Sequence, residues 1–162
     1  MTPRLSWQTV GTLRPGDLLG CVEAPPVTMT QLAFYCGAVG VTDPIHYDRE
    51  FARRAGFADA VVNGSLRVAW LAQAVKNLLA EHDQLSSLQC THRGMMTVGQ
   101  AARIEIRFKE QRQHDDHVLL RCTVENHVGS ALVDIAEAEI RLSSSAATQA
   151  GRAATSQPES EP

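Results

Sequence analysis

The strongest constraint on this chain is a change of hydrophobic period. Residues 65–81, SLRVAWLAQAVKNLLAE, are apolar around most of a helical circumference. Leu66, Ala69, Trp70, Ala74 and Leu78 recur at helical spacing, neighbours such as Leu71, Val75 and Leu79 widen the stripe, and Arg67, Lys76 and Asn77 are the exceptions. A helix with that pattern must be covered on several sides. From Arg103 onward the period drops to two. Ile104, Ile106 and Phe108 alternate with Arg103, Glu105, Arg107 and Lys109, which describes a strand with one dry and one wet face. Val118, Leu120, Cys122 and Val124 begin a second such strand, residues 131–142 form a third, and 85–92 read as a strand before these. The stretches 114–117 (His-Asp-Asp-His) and 126–130 read as turns. The dry faces need cover and the helix needs a wrapping. The expected fold is therefore α+β, an antiparallel sheet of at least four strands wrapped round one central apolar helix, with Trp70 largely buried.

The residues before that helix read as short elements joined by tight turns. Pro15-Gly16 is a turn, 18–22 an extended stretch, and Pro25-Pro26 its end. Thr28 or Thr30 caps a helix running to Gly40, with Leu32, Tyr35, Cys36 and Val39 at helical spacing. Pro44 pushes Asp43 out of the helical region, so 41–47 is a loop through which no helix runs. Asp48 caps a short helix over 49–55 that stops at Gly56, and Asn63-Gly64-Ser65 breaks the chain before the apolar helix.

The chain has 162 residues, 44% hydrophobic and 20% charged, which fits a single domain with a sizeable core. Composition shifts once, near Ser143. Residues 1–142 are read as the domain and 143–162 as a flexible low-complexity tail. The net charge of −3 supplies no basic field for a phosphate backbone, which argues against nucleic acid as a partner. No run approaches the ~18 apolar residues of a membrane span, and the opening residues lack a signal-peptide core. Cys21, Cys36, Cys90 and Cys122 are scattered with no Cys-x-x-Cys pair, so they read as free thiols of a cytoplasmic protein.

The stretch 35–71, YCGAVGVTDPIHYDREFARRAGFADAVVNGSLRVAWL, resembles the MaoC-like dehydratases, the (R)-specific enoyl-thioester hydratases of the hot-dog fold. Their motif runs Gly-Asp-x-Asn-Pro-aliphatic-His, then an acidic residue, an Ala-x-x-Gly element and a small-residue break before the central helix. Gly40, Val41, Thr42, Asp43, Pro44, Ile45 and His46 occupy the motif positions here, and Tyr47-Asp48, Ala55-Gly56 and Asn63-Gly64 continue it. HRGMMTVGQ, residues 92–100, resembles the family's later sheet segment. The resemblance covers roughly residues 10–142 and implies a hot-dog fold and a side-by-side dimer with a continuous sheet. Two positions depart from the motif. The family's catalytic Asp falls on Val41 and its Asn on Asp43, while the His is kept as His46.

Hydration of an enoyl thioester needs a base to activate water, an acid to protonate the α-carbon, and a donor to the thioester oxygen. The resemblance implies His46 as base and the backbone N–H at the helix start, Gly64, as the donor. A glycine there lets a thioester approach the backbone closely, or is a plain helix-start glycine. An isopropyl group at Val41 can neither take a proton nor orient a water. Asp43 is a candidate displaced partner for His46, or it hydrogen-bonds amides of its own turn, as Asp before Pro often does. His46 itself is a base or a residue holding the loop together. Val41, Asn63, Ser65 and Arg93 are candidates for binding the substrate. Arg93 either meets a phosphate of a coenzyme A or carrier arm or is a solvated strand-end charge. His114 and His117 read as a solvated hairpin rather than a metal site; no metal and no cofactor is expected, the thioester of coenzyme A or an acyl carrier being the substrate.

Three functions follow. The first is a hydro-lyase acting on an enoyl or 3-hydroxyacyl thioester. The second is a non-catalytic acyl-channel subunit of a heteromeric hydratase, paired with a second hot-dog chain that supplies the missing carboxylate. The third is a divergent hot-dog thioesterase with Val41 in the acyl pocket.

Overall fold

The computed structural model describes Leu5 and residues 10–143. Five strands, β1 (Leu18–Ala24), β2 (Gln84–His92), β3 (Ala102–Gln113), β4 (His117–Val128) and β5 (Ala131–Ser143), form one sheet. Its order is β1-β3-β4-β5-β2, with every pair antiparallel. Three helices, α1 (Met29–Val39), α2 (Arg49–Arg54) and α3 (Gly64–Lys76), lie between β1 and β2 in the chain. No helix among the described residues is long and apolar enough to cross a membrane.

The expected centre holds. Leu71, Ala74 and Val75 of α3, with Leu78 just beyond it, pack on the dry faces of the sheet against Ile104, Ile106, Leu120, Val124 and Ile140. Each such buried aliphatic side chain is worth about 1.5–3 kcal/mol of transfer free energy. β1 crosses close over the end of α3. A side chain on Gly20 would meet Leu78 Cδ2 at 2.8 Å, so only glycine fits without a shift.

Three expectations for the helix need correction. It ends at Lys76 rather than at 81, because Leu78 and Leu79 turn back with N–H bonds to Val75 and Lys76. Asp83 then accepts the N–H groups of Ala80 at 3.0 Å and Ser143 at 3.1 Å, which ties the turn to the end of β5. Trp70 is half-buried, bridging the main core and a second cluster around Leu32, Val62 and Met96. Arg67, an expected exception to the apolar surface, is 3% exposed, because it shares the face of Leu71, Ala74 and Val75.

The strands also run further than periodicity suggests. β4 passes through Asn126, placed above in a turn; the turn itself is Gly129-Ser130. Asn126 keeps the inward phase of Cys122 and Val124 and is fully buried. β5 includes Ser143, the residue at which the expected tail begins; positions 144–162 lie outside the described residues. Glu105, on the expected wet face of β3, is only 7% exposed because Arg103 and Arg107 flank and pair with it. The hydrogen bond from Arg107 holds the Glu105 carboxyl below the usual range, with the charges of Arg103 and Arg107 adding to it against burial.

Candidate active site

The segment before α3 is built from local caps. Thr28 and Gln31 form a reciprocal capping box at the start of α1. Gly40 ends the helix at φ +70°, where a side chain would be strained. Pro44 opens one 3-10 turn, Pro44–His46, between α1 and α2. No α-helix runs through here, as expected. A proline is nonetheless accepted at the first position of a turn, where its missing N–H is not needed. Asp48 caps α2 by accepting from the N–H groups of Glu50 and Phe51, each at 2.9 Å. Arg49 and Arg53 then reach Asp59 at 3.3 and 3.2 Å, which ties α2 to the strand-like segment that follows.

That segment carries the site. Val61 donates its N–H to the Ile45 carbonyl at 2.8 Å and bridges to Thr97. The Val61 carbonyl is 2.8 Å from His46 Nδ1. A carbonyl only accepts, so Nδ1 carries a proton, and in the neutral ring the lone pair is then on Nε2. Nε2 has no hydrogen-bond partner among the described residues. His46 is half-buried.

Two residues beyond Val61, Asn63 caps α3. Its side-chain oxygen accepts the Ser65 N–H at 2.9 Å and also the Ser65 hydroxyl, which in turn accepts from Tyr35 Oη at 2.7 Å. Asn63 Oδ1 and the Ser65 hydroxyl are thus engaged in holding the helix start. The Gly64 N–H has no partner among the described residues, at the positive end of a 13-residue helix. His46 is therefore held at Val61, one end of a four-residue segment whose other end is Gly64; Val61 and Gly64 themselves are within about 11 Å of each other even if the segment were fully extended.

The other expected residues fall as follows. The Asp43 side chain is exposed and accepts the Ile45 N–H at 3.2 Å, the turn-capping alternative of its two readings. The hydrogen bond of the His46 ring goes to Val61 and not to Asp43. Val41 is half-buried directly after Gly40, with its N–H on the Cys36 carbonyl. The Arg93 side chain is exposed, one residue beyond β2. His114 and His117 stack ring on ring at 4.5 Å in the hairpin, with His117 Nδ1 on Asp116.

Residues 13–129 match the family model of the MaoC-like domain, almost three quarters of the chain. The chain belongs to the MaoC-like family. Its fold is the hot-dog fold, shared with solved relatives at low identity. The (R)-hydratase from A. caviae involved in PHA biosynthesis is 19% identical with a TM-score of 0.69, over 81% of this chain and 98% of that one. A C-terminally truncated HadBC (3R-hydroxyacyl-ACP dehydratase) complex from Mycobacterium tuberculosis is 14% identical with a TM-score of 0.64, over 80% and 98%. Among curated proteins, a UPF0336 protein from Clavibacter michiganensis subsp. michiganensis (strain NCPPB 382) is 47% identical over 49 residues, 30% of this chain. The chain covers only 33% of that relative's length.

This MaoC-like chain holds a second polar cluster that sequence reading missed. Strand register puts His92 (β2), Asp134 (β5) and Asn126 (β4) in one row across three neighbouring strands. His92 Nδ1 lies 2.6 Å from Asp134 Oδ1, and Asn126 Nδ2 donates to Asp134 Oδ2 at 2.8 Å. Arg67, from α3, stands 3.4 Å from Asp134 Oδ1 and donates to the Gly94 carbonyl at 2.9 Å. Asp134 and Asn126 are fully buried, and burying a carboxylate is costly without such partners. Cys90 comes close enough to make a Cys-His-Asp donor set with His92 and Asp134. Arg67 already neutralises the carboxylate, and His92 turns its Nδ1–H onto it, so the set is built for hydrogen bonding. Burial and the Asp134 charge both push the Cys90 thiol up, with Arg67 opposing them. The sequence signal was phase: Asn126 and Asp134 continue the inward alternation of β4 and β5, and Arg67 lies on the buried face of α3.

Proposed function

We propose that this chain is a hydro-lyase that hydrates an enoyl thioester, or dehydrates a 3-hydroxyacyl thioester, of coenzyme A or an acyl carrier. One observation carries the reading. The His46 ring is held with a proton on Nδ1 by the Val61 carbonyl, which in the neutral ring leaves Nε2 as a base beside the segment that leads to the Gly64 N–H, itself without a partner among the described residues. His46 takes the proton of the attacking water, and the Gly64 N–H stabilises the charge that develops on the thioester oxygen. Val41 lies beside the loop as part of the acyl wall, Asn63 and Ser65 hold the helix start in place, and Arg93 reaches the phosphates of the carrier arm. The active form is a dimer, with either a second copy or a second hot-dog chain closing an apolar tunnel over these groups.

The test is hydration of crotonyl-CoA and longer enoyl-CoAs by the purified chain, followed by loss of the enoyl-thioester absorbance. His46→Ala is expected to abolish turnover, and Val41→Asp, which restores the motif carboxylate, to raise it. Release of free thiol instead of hydration would identify a thioesterase and overturn the reading.

The second reading is a non-catalytic acyl-channel subunit. Val41 at the family's carboxylate position favours it, and a solved relative is a complex. An inactive homomer that gains hydration on adding a co-purified second hot-dog chain would select it.

A further inference from the structure

The His92 cluster has the geometry of an oriented acid–base group. Asp134 Oδ1 is 2.6 Å from His92 Nδ1 and, as a carboxylate oxygen, can only accept, so Nδ1 carries a proton. The nearby Arg67 Nη2, 3.2 Å from Nδ1, is then a close neighbour rather than its donor. The other ring nitrogen, Nε2, has no hydrogen-bond partner among the described residues, and the side chain is 44% exposed. A buried carboxylate that holds one nitrogen of a half-exposed imidazole is the arrangement that orients a histidine for proton transfer.

The direction of Nε2 ties this group to the helix start. A side chain on Gly64 would stand 2.7 Å from His92 Nε2 and 3.2 Å from Cε1. Glycine at 64 is therefore what lets the imidazole lie against the first turn of α3, beside the free Gly64 N–H. Arg67 Nε and Asn126 Oδ1 are buried without a hydrogen-bond partner among the described residues.

We propose that His92, held by Asp134, is a second catalytic histidine, the general acid that acts opposite His46 in place of a carboxylate at position 41. The inference rests on the hydratase reading. In the hydration direction His46 Nε2 accepts a proton from water as the water oxygen bonds to the β-carbon. The C=C pair moves toward the thioester as enolate charge beside the Gly64 N–H, and collapses onto the α-carbon as protonated His92 gives up its Nε2 proton. One water is consumed; solvent returns a proton to His92 and takes one from His46. Dehydration runs the same steps backward. The charged and titratable groups facing His92 are Asp134 from β5, Arg67 from α3 and Cys90 from its own strand.

The experiment is the pH dependence of kcat/KM for crotonyl-CoA hydration by the full chain, wild type against His92→Gln and Asp134→Asn. Circular dichroism and thermal midpoint confirm folding. Wild type is expected to show an alkaline limb, because the rate falls as His92 loses its proton. His92→Gln should lose roughly 10²–10⁴-fold and that limb with it, while staying folded. Asp134→Asn still accepts from Nδ1 but no longer stabilises the imidazolium, so the limb should move to lower pH. A merely structural cluster would lower the thermal midpoint and leave the shape of the profile alone. If wild type hydrates and His92→Gln stays within about threefold with the same profile, the proposal is overturned and the hydratase reading stands. If wild type hydrates nothing, the reading falls and this role with it.

Discussion

Arg67→Met tests the buried charge cluster most directly. Arg67 is 3% exposed and stands 3.4 Å from Asp134, which is fully buried. Methionine keeps much of the arginine stem on the buried face shared with Leu71 and Ala74, so volume changes little and the charge is what is lost. Asp134 would retain only His92 and Asn126, and the Gly94 carbonyl would lose the donor now at 2.9 Å. Breaking a buried pair from one side costs about 3–5 kcal/mol, because a charge is left without its partner. At ~4 °C per kcal/mol for a domain of this size, the thermal midpoint should fall by roughly 12–20 °C. Urea denaturation followed by circular dichroism gives the free energy directly. The double variant Arg67→Met/Asp134→Leu removes both charges and should recover a large part of the loss. An internal control is Glu50→Ala. Its pair with Arg54 lies on the surface of α2, with the side chains 84% and 63% exposed, and should cost no more than about 0.5 kcal/mol. A loss below about 1 kcal/mol for Arg67→Met, or strictly additive effects in the double variant, would refute the assignment of a desolvated ion pair.

Gly64→Ala places a methyl 2.7 Å from His92 Nε2, so the ring must withdraw. Alanine is the better helix former, so the thermal midpoint should hold or rise while enoyl-thioester hydration falls; unchanged turnover would show that the contact is functionally idle. Glu105 is held below the usual carboxylate range mainly by Arg107, so its folded form binds a proton less readily than the unfolded chain. Its stabilising effect is present above ~4.3, the ordinary glutamate value, and is lost as pH falls through the depressed folded value. Glu105→Gln should therefore destabilise at pH 7, and denaturation curves of variant and wild type should converge in acid. Burial pushes the Cys122 thiol up to about 12. It should resist a thiol-specific disulfide reagent in the native state and react fully only in denaturant, with Cys122→Ser as the control.

Local chemistry made most elements legible in the sequence. Thr28 and Asp48 cap because their side chains reach N–H groups two or three residues on, Gly40 ends α1 because it alone accepts a positive φ there, and the break read at Asn63 is the cap of α3. Period-two alternation located β3, β4 and β5 because one face of each is dry. The motif loop, including the position of His46, was legible for the same reason, since Pro44 and the Asp43 turn are local devices. Tertiary structure decided what depends on distant partners. The tautomer of His46 is set by the carbonyl of Val61, 15 residues away. The turn after α3 is tied down by Asp83, which reaches the last strand 60 residues on. His92, Asp134 and Asn126 share a site only because antiparallel pairing of β2, β5 and β4 puts them in one row, with Arg67 arriving from the helix beneath. Side-chain period tells which way a residue points, and followed through β4, β5 and α3 it would have put Asn126, Asp134 and Arg67 on the buried face, a signal the turn reading at 126 and the apolar reading of the helix passed over. Which of them meet is a matter of register between strands, and register exists only once the sheet has closed over α3.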